Sequence, residues 1–151
     1  MALDILGILD AVVSHAMASG HFETVNGHEP ERAPGHGLTA AVWVDRVDPV
    51  RSSGLATTSA RLIFNVRLYT PMVQEPADAI DPYLVTALDV LMRAYVGDYT
   101  LGGLVREVDI RGTHGIGLEA RAGYLQQDGA LLRVVTITLP VVVNDLWDEV
   151  P

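Results

Sequence analysis

Apolar residues in the first 20 positions recur with the three- and four-residue spacing of an amphipathic α-helix. The predicted buried stripe consists of Leu3, Leu6, Leu9, Val13 and Ala16, widened by Ile5, Ile8 and Val12. Asp4 stands near the predicted N-terminus, where a carboxylate is favourable, and Gly20 marks the C-terminal stop. The pattern therefore predicts a helix of roughly four turns at the start of the chain.

A second helical pattern runs from about Ala79 to Val96. Its predicted buried stripe consists of Ile80, Leu84, Leu88, Leu91 and Tyr95. Asp81 followed by Pro82 predicts the helix start, with the aspartate as N-cap and proline at the first helical position. Asp89 and Arg93 are one turn apart and are expected to pair on the exposed side.

The remaining segments show the alternation of apolar and polar positions that is typical of β-strands. Strands are predicted near Phe22–Val25, at Leu38–Val47, at Ala60–Thr70, at Leu104–Gly112, at Gly117–Gln127 and from Ala130 to Val143. In Ala60–Thr70 the alternation is clean, which predicts a strand covered on one face. Loops are predicted at Asp48–Ser59 and Pro71–Ile80, and Asp128–Gly129 predicts a tight hairpin.

These elements follow the order helix, three strands, helix, three strands. Such an order predicts an α+β fold, in which a mostly antiparallel sheet of about six strands is flanked by two helices. A chain of 151 residues is expected to form one domain, spanning residues 1–151.

The last predicted strand is apolar on both faces. Fully extended, it would span about 45 Å, whereas a compact chain of this length has a diameter of roughly 40 Å. Two apolar faces indicate that both are covered. Pro140 marks a bulge or an edge, and either a second subunit or a folded-over loop would cover the second face. We expect the part from Thr138 through Pro140 to contact another subunit.

Composition narrows the classes of function. The chain has no cysteine, which excludes disulfides and thiolate metal sites. All ten basic residues are arginines and the formal net charge is −9, so a tight grip on DNA through its phosphates is not expected, although DNA could still pass nearby without sticking. The N-terminus lacks the basic region of a signal peptide, and no apolar run is long enough to span a membrane, so we expect the protein to be made in, and first to work in, a cytoplasm.

Sequence signals for catalysis are weak. His21, His28 and His36, with glutamates between them, form the strongest candidate metal site, but their spacing matches no ligand pattern. The glycine-rich segment Gly112–Gly117 lacks the strand–helix context of a phosphate loop, and no serine lies in a nucleophile elbow. A non-enzymatic protein without a cofactor is therefore predicted, and a small metal-dependent enzyme is the alternative from a different class.

Interaction features are more prominent. The candidate contacts with other subunits or partners are Tyr69, Pro71, Met72, Pro140, Val141 and Trp147. Aromatic residues and methionine are favoured in the cores of protein interfaces. The alternative is that each of these side chains packs on its own domain.

Five segments taken in order resemble the tail terminator proteins of long-tailed (siphovirus-type) phages of actinobacteria. They are LDILGILDAVVSHA, NGHEPERAPGHGLTAAVWVD, ARLIFNVRLYTPMVQEPADAIDP, GGLVREVDIRG and AGYLQQDGALLRVVTITLPVVVND. The resemblance covers nearly the whole chain and is strongest at Arg61–Pro82 and Gly123–Asp145. It rests on the order and extent of these segments, because none of them is a catalytic motif.

The resemblance implies a structural virion protein at the head-proximal end of the tail. Tail terminators form a ring, commonly of six subunits, that caps the tail tube, ends tube polymerisation and provides the surface for head docking. The implied partners are further copies of the chain, the tail tube protein and a neck or connector protein, and DNA passes through the lumen without specific binding. The alternative within the same virion is a neck or connector protein on the head side.

Overall fold

The computed structural model describes residues 3–22, 24–27, 38–50, 56–71, 80–127 and 129–150. Within these residues the elements are α1 (Ile5–Ala18), β1 (Thr24–Asn26), β2 (Thr39–Val50), β3 (Thr57–Pro71), α2 (Ile80–Gly97), β4 (Glu107–Val108), β5 (Glu119–Gln127) and β6 (Ala130–Asp148). The predicted α+β class and the predicted order of helices and strands are confirmed.

The strands form a mixed six-stranded sheet with the order β1-β2-β3-β6-β4, in which β5 also pairs with β6. Pairing is antiparallel throughout except between β1 and β2, which run in the same direction. The sheet is therefore mixed rather than mostly antiparallel. A parallel neighbour has to be reached by a crossover and not by a hairpin, and local alternation carries no information on strand direction.

Strand β6 is the centre of the sheet. One of its edges pairs with β3 along most of its length, while the other pairs first with β5 and then with β4. Pro140 lies where this second neighbour changes, and its carbonyl accepts the N–H of Asp109 at 2.9 Å. Since the N–H and C=O of one strand residue point to the same side, the missing N–H of Pro140 falls at this change of neighbour and interrupts no pairing with β3.

The helices cover one face of the sheet, where α1 packs on β1 and β2 and α2 packs on β3 and β6. Their fully buried side chains are Ile8, Val12 and Ala16 from α1 and Ile80, Leu84, Ala87, Leu91 and Tyr95 from α2. The predicted stripe of α2 is confirmed except that Leu88 is only partly buried. In α1 the centre of the stripe differs, because Leu6 is exposed and the side chains at Ile8 and Val12 face the sheet.

Helix ends agree with prediction in α1 and differ in α2. The Asp4 side chain accepts the N–H of Gly7 at 3.1 Å, and Gly20 has φ +75° just beyond the helix. Helix α2 already begins at Ile80, so Asp81 is not its cap. Asp81 instead lies in the first turn, where a carboxylate is favourable, and accepts Nε–H of Arg133 at 2.9 Å. The predicted Asp89–Arg93 ion pair is present.

Two predicted boundaries are wrong. Both ends of the predicted loop Asp48–Ser59 belong to strands, since β2 and β3 pair as far as Val50 and Ser59. Residues 51–55 lie outside the described part. The predicted strand Leu104–Gly112 is reduced to β4, because the chain turns at Asp109, whose carboxylate accepts the N–H groups of Thr113 and His114.

The predicted hairpin between β5 and β6 is confirmed. Gln127 pairs directly with Ala130, and Gly129 adopts φ +74°, which glycine tolerates well. Asp128 lies outside the described residues, as do residues 72–79 of the predicted loop Pro71–Ile80. Pro71 itself is the last residue of β3.

Candidate assembly interface

The face of the sheet opposite the helices, which we call the second face, is built from the residues that alternate with the core positions. One row of it runs across three strands, because Thr136 of β6 lies between Arg67 of β3 and Arg121 of β5. The neighbouring row contains Asn65, Thr138 and Glu119 in the same way. The middle of the second face is therefore polar, in contrast to the apolar helix face.

One end of the second face carries a small apolar cluster of its own. It consists of Ala41, Tyr69, Leu132 and Val134, with Trp43 and Leu125 packed at its margin. Burial raises the pKa of Tyr69, and a hydrogen bond with Asn26 and the charge of Arg67 partly oppose this. Tyr69 is thus a structural residue of the chain, and the prediction of a strand covered on one face only is wrong at this position.

The row of arginines next to this cluster is partly fixed in place. The guanidinium of Arg67 stacks over the indole of Trp43 at 5.0 Å, and its Nε lies 3.4 Å from the Thr136 hydroxyl. Neither contact involves a carboxylate, so they leave the positive charge of Arg67 unneutralised. The Arg121 side chain is 83% exposed and lies 3.5 Å from Glu119, a distance at which an exposed ion pair contributes little.

The other end of the second face contains a buried ion pair. Arg61 and Asp109 lie 3.4 Å apart with side chains only 2% and 1% exposed. Burial disfavours the charged carboxylate, but the N–H groups of His114 and Thr113 and the charge of Arg61 outweigh it, so the pKa of Asp109 is lowered. The guanidinium also donates to the carbonyl of Ile116. Because the two charged groups are enclosed and paired with each other, we regard the pair as structural, although Nε of Arg61 has no hydrogen-bond partner among the described residues.

The glycine-rich segment Gly112–Gly117 closes over this ion pair. Gly115 has φ +148°, and a Cβ there would lie 3.1 Å from Nη1 of Arg61. Glycine is therefore required for the segment to approach the guanidinium so closely. The segment therefore covers a buried arginine, and Gly115 has a packing role in it.

Towards its end, β6 continues into a segment that we call the C-terminal arm, residues 144–149, in which Leu146 is buried in the core and the other residues are exposed. Side-chain hydrogen bonds tie it to β3: Thr57 donates to Asp145 at 2.9 Å and Thr58 donates to Glu149 at 2.6 Å. Backbone bonds add to these, because the N–H of Glu149 reaches the carbonyl of Ala56 at 2.6 Å. The arm is thus held in a defined conformation, with Trp147 38% exposed on it.

The predicted contact residues fall into three groups. Tyr69 and Val141 are 1% and 0% exposed, and Pro140 is also buried, so these side chains offer no surface in the isolated chain. Pro71 and Trp147 are accessible, while Met72 lies outside the described residues. The exposed end of β6 is the C-terminal arm and not the predicted part from Thr138 through Pro140, because Val141 packs into the core beneath the helices.

Sequence reasoning missed Trp43, Arg67 and Arg121 as members of one surface. The alternation of β3 did place Arg67 on the face opposite the core. Joining it to Arg121, however, requires the register of β3, β6 and β5, which depends on long-range pairing. A local pattern contains no such signal.

A catalytic or metal site requires polar side chains that converge on one point. In the described part of the chain, no group of three or more His, Asp or Glu side chains is arranged to hold a metal ion. His21 is exposed there, while His28 and His36 lie outside it. A shallow cleft near the end of α2 is lined in part by Tyr99, Glu107 and Asp109, but the Asp109 carboxylate is already committed to its structural partners. Among the described helices, none combines the length and apolarity needed to cross a bilayer.

Comparison with known proteins gives distant likenesses. No family model and no curated protein matches the sequence. One similar solved structure is a chain from the virion of a native gene transfer agent particle, with 14% identity and a TM-score of 0.42 over 94% of this chain and 98% of that chain. Another is a sheath/tube terminator of an extracellular contractile injection system in the extended state, with 11% identity and a TM-score of 0.45.

The second likeness covers 100% of this chain but 61% of the terminator, so the chain spans less than two thirds of that protein. At identities below 25% and TM-scores below 0.5, neither likeness establishes a family or a function.

Proposed function

We propose that the chain is a structural protein of a phage-like virion that forms a ring, most simply of six copies, on the head-proximal end of the tail tube. The ring ends tube polymerisation, provides the surface on which the head docks, and leaves a lumen through which DNA passes without specific binding. Its partners are further copies of itself, the tail tube protein and a neck or connector protein. The role is non-enzymatic.

The observation that carries the proposal is the length of β6. Its 19 residues span about 60 Å when extended, which exceeds the diameter of roughly 40 Å expected for a compact chain of this length. The strand continues into the C-terminal arm, which is anchored in the core by Leu146, is braced by hydrogen bonds and presents Trp147. A braced, partly aromatic extension suits a protein whose work is contact with other subunits.

Two further features support the proposal. The sequence resembles tail terminator proteins along nearly its whole length. The net charge of −9 disfavours a tight grip on the DNA phosphates, as a conduit for DNA requires.

Assembly of the purified chain tests the proposal first. Light scattering at tens of micromolar, alone and with the tail tube protein of the same virion, is expected to detect closed oligomers or oligomers on tube ends. A chain that stays monomeric in both mixtures would contradict the proposal. Including the tube protein matters, because the tube end itself can act as the template for the ring.

The second candidate is a neck or connector ring of the same virion, which has the same requirements for an exposed arm. Particles lacking the protein separate the two candidates. Loss of a terminator is expected to give overlong or headless tails, whereas loss of a neck protein is expected to give leaking heads beside tails of normal length. Negative-stain electron microscopy of the two kinds of particle is the readout.

A further inference from the structure

We infer that adjacent copies join head to tail, with the C-terminal arm of one copy lying on the row of Arg67, Thr136 and Arg121 on the second face of the next. This inference rests on the proposed function, because it specifies the contact from which the ring is built. Every residue of the two surfaces lies in the described part of the chain.

The two surfaces lie on different parts of the same strand. From Thr136 to Asp148, β6 covers twelve residue steps, or about 40 Å at ~3.3 Å per step. The arm of one chain therefore cannot reach the arginine row of the same chain without breaking the strand. Any contact between the two surfaces has to be made between copies.

Their charges are complementary. The arginine row carries Arg67, whose contacts with Trp43 and Thr136 leave its charge unneutralised, and the exposed Arg121. The C-terminal arm carries the carboxylates of Asp145, Asp148 and Glu149, all at exposed positions. In a chain with a net charge of −9, two arginines in one row are a distinct feature even with Glu119 3.5 Å from Arg121, and the acidic arm of another copy fits the row electrostatically.

Both surfaces are already ordered before contact. Stacking on Trp43 restricts the guanidinium of Arg67, and the hydrogen bonds from Thr57 and Thr58 hold the arm. Pre-ordering lowers the conformational entropy that association has to overcome. Trp147 is 38% exposed and points to the face of the strand opposite Asp148, where it adds an aromatic side chain of the kind that often contributes much of the binding energy of an interface.

The geometry also fits a ring. Because the two contacting surfaces differ, the contact is heterologous, and an open assembly retains one unused arm at one end and one unused arginine row at the other until it closes. A contact in which the same patch meets itself would stop at a dimer. A head-to-tail contact instead repeats around an axis, as the proposed cap of a tube requires.

Charge reversal at Arg121 and Asp148 tests the inference, since both side chains are exposed and neither belongs to the core. We expect Arg121→Glu and Asp148→Arg each to raise the concentration needed for half-assembly at least about tenfold, because like charges then face each other. Mixing the two variants restores assembly in a 1:1 ratio, and so does placing both changes in one chain. Light scattering and native mass spectrometry measure the size and ratio.

The matched control is Arg93→Glu, which reverses an equally exposed arginine on α2, where it pairs with Asp89 away from the second face. This variant is expected to assemble like the wild type. Circular dichroism and thermal melting check that every variant is folded, so that a loss of assembly reports on the contact.

The outcomes separate the inference from the proposed function. If the wild type assembles and both single reversals assemble equally well, or if the mixture fails to recover, the arm-to-row contact is wrong while the ring remains. If the wild type stays monomeric even with tube ends, both are wrong. If Arg121→Glu leaves assembly unchanged but abolishes binding of a short DNA duplex, the arginine row contacts nucleic acid and the inference is overturned.

Discussion

The two faces of the sheet differ in what stabilises them. The helix face is a continuous apolar core in which β3 and β6 meet α1 and α2, with side chains such as Phe64, Ile137 and Leu139 fully buried. The second face combines a small apolar cluster, a polar middle and the buried pair of Arg61 and Asp109. The same strands thus bury apolar surface on one side of the sheet and position hydrogen-bonded and ion-paired polar groups on the other.

This difference indicates a division of roles. Apolar burial contributes roughly 25 cal/mol per Å² and is insensitive to the direction of the contacts, so the helix face sets the stability of the domain. The charged groups of the second face contribute less to net stability, because their desolvation offsets much of their attraction. They do fix the positions of loops and side chains, which is what an assembly surface needs.

A charge placed on the helix face is expected to have the largest effect. Val141→Asp puts a carboxylate into the core, where Val141 is fully buried without a polar partner, and is expected to abolish folding. Circular dichroism and gel filtration of the expressed chain measure the loss. Val150→Asp, at an exposed position of the same residue type, is the control and should fold normally. A folded, assembling Val141→Asp protein would show that β6 does not enter the core as described.

Breaking the ion pair of the second face comes next. Asp109→Ala leaves Arg61 buried without its counter-charge, and we expect the free energy of unfolding to fall by about 3–5 kcal/mol. Removing both charges with Arg61→Met and Asp109→Ala should cost less than Asp109→Ala alone, because no uncompensated charge remains. Urea denaturation of the three proteins measures both values. A loss below about 1 kcal/mol for Asp109→Ala would mean that the pair is not enclosed.

The contact between the two helices gives a smaller effect. The hydroxyl of Tyr95 donates to the carbonyl of Val12 at 3.0 Å inside the core, and burial raises the pKa of Tyr95 well above its ordinary value. Tyr95→Phe keeps the ring and removes the hydrogen bond, and is expected to lower the free energy of unfolding by about 1 kcal/mol. Leu91→Ala, at a neighbouring buried position, is the comparison, and it is expected to lower the free energy of unfolding by about 2–5 kcal/mol. If Tyr95→Phe cost as much as Leu91→Ala, the hydroxyl would have a larger structural role.

The smallest expected effect depends on pH. The pKa of Asp98 is lowered by the N–H of Gly102 and by a 2.9 Å hydrogen bond with His15, which links the ends of the two helices. A carboxylate with a lowered pKa stabilises the fold above its unfolded-state value near 3.8, and this contribution is lost as the pH falls through the folded-state pKa. Because Asp98 is partly exposed, the contribution should be below about 1 kcal/mol.

Asp98→Asn tests this sign. Its free energy of unfolding should lie slightly below that of the wild type at pH 7, and the difference should shrink as the pH is lowered below about 4. Urea titrations at several pH values provide the comparison. A difference that grows towards acid pH would mean that Asp98 has the opposite linkage.

Much of the fold follows from local pattern. Both helices, the hairpin at Gly129 and the order of elements were predictable, because they depend on short-range periodicity and turn chemistry. The exposure of Leu6 in α1 was not predictable from the sequence. An apolar residue on the flank of a helix is buried only if a neighbouring element covers it. The short length of β4 follows from a turn set by the carboxylate of Asp109, whose partners come later in the chain.

The candidate interface was less predictable than the fold. Trp147 and Val141 were both predicted as candidate contacts, but Trp147 is partly exposed whereas Val141 lies in the core. The arginine row became visible only through the pairing of β3, β5 and β6, which brings distant residues into one line. Surfaces assembled from several strands depend on long-range register, and hydrophobic alternation along one strand does not encode it.

The most direct test of the proposed function is the length of tail tubes grown in the presence of the chain. Purified tube protein of the same virion would be polymerised with and without it, and the tubes imaged by negative-stain electron microscopy. We predict short tubes with a ring-shaped density at one end only, and longer tubes when the chain carries Arg121→Glu. Tubes of unchanged length with no density at either end would contradict a capping role.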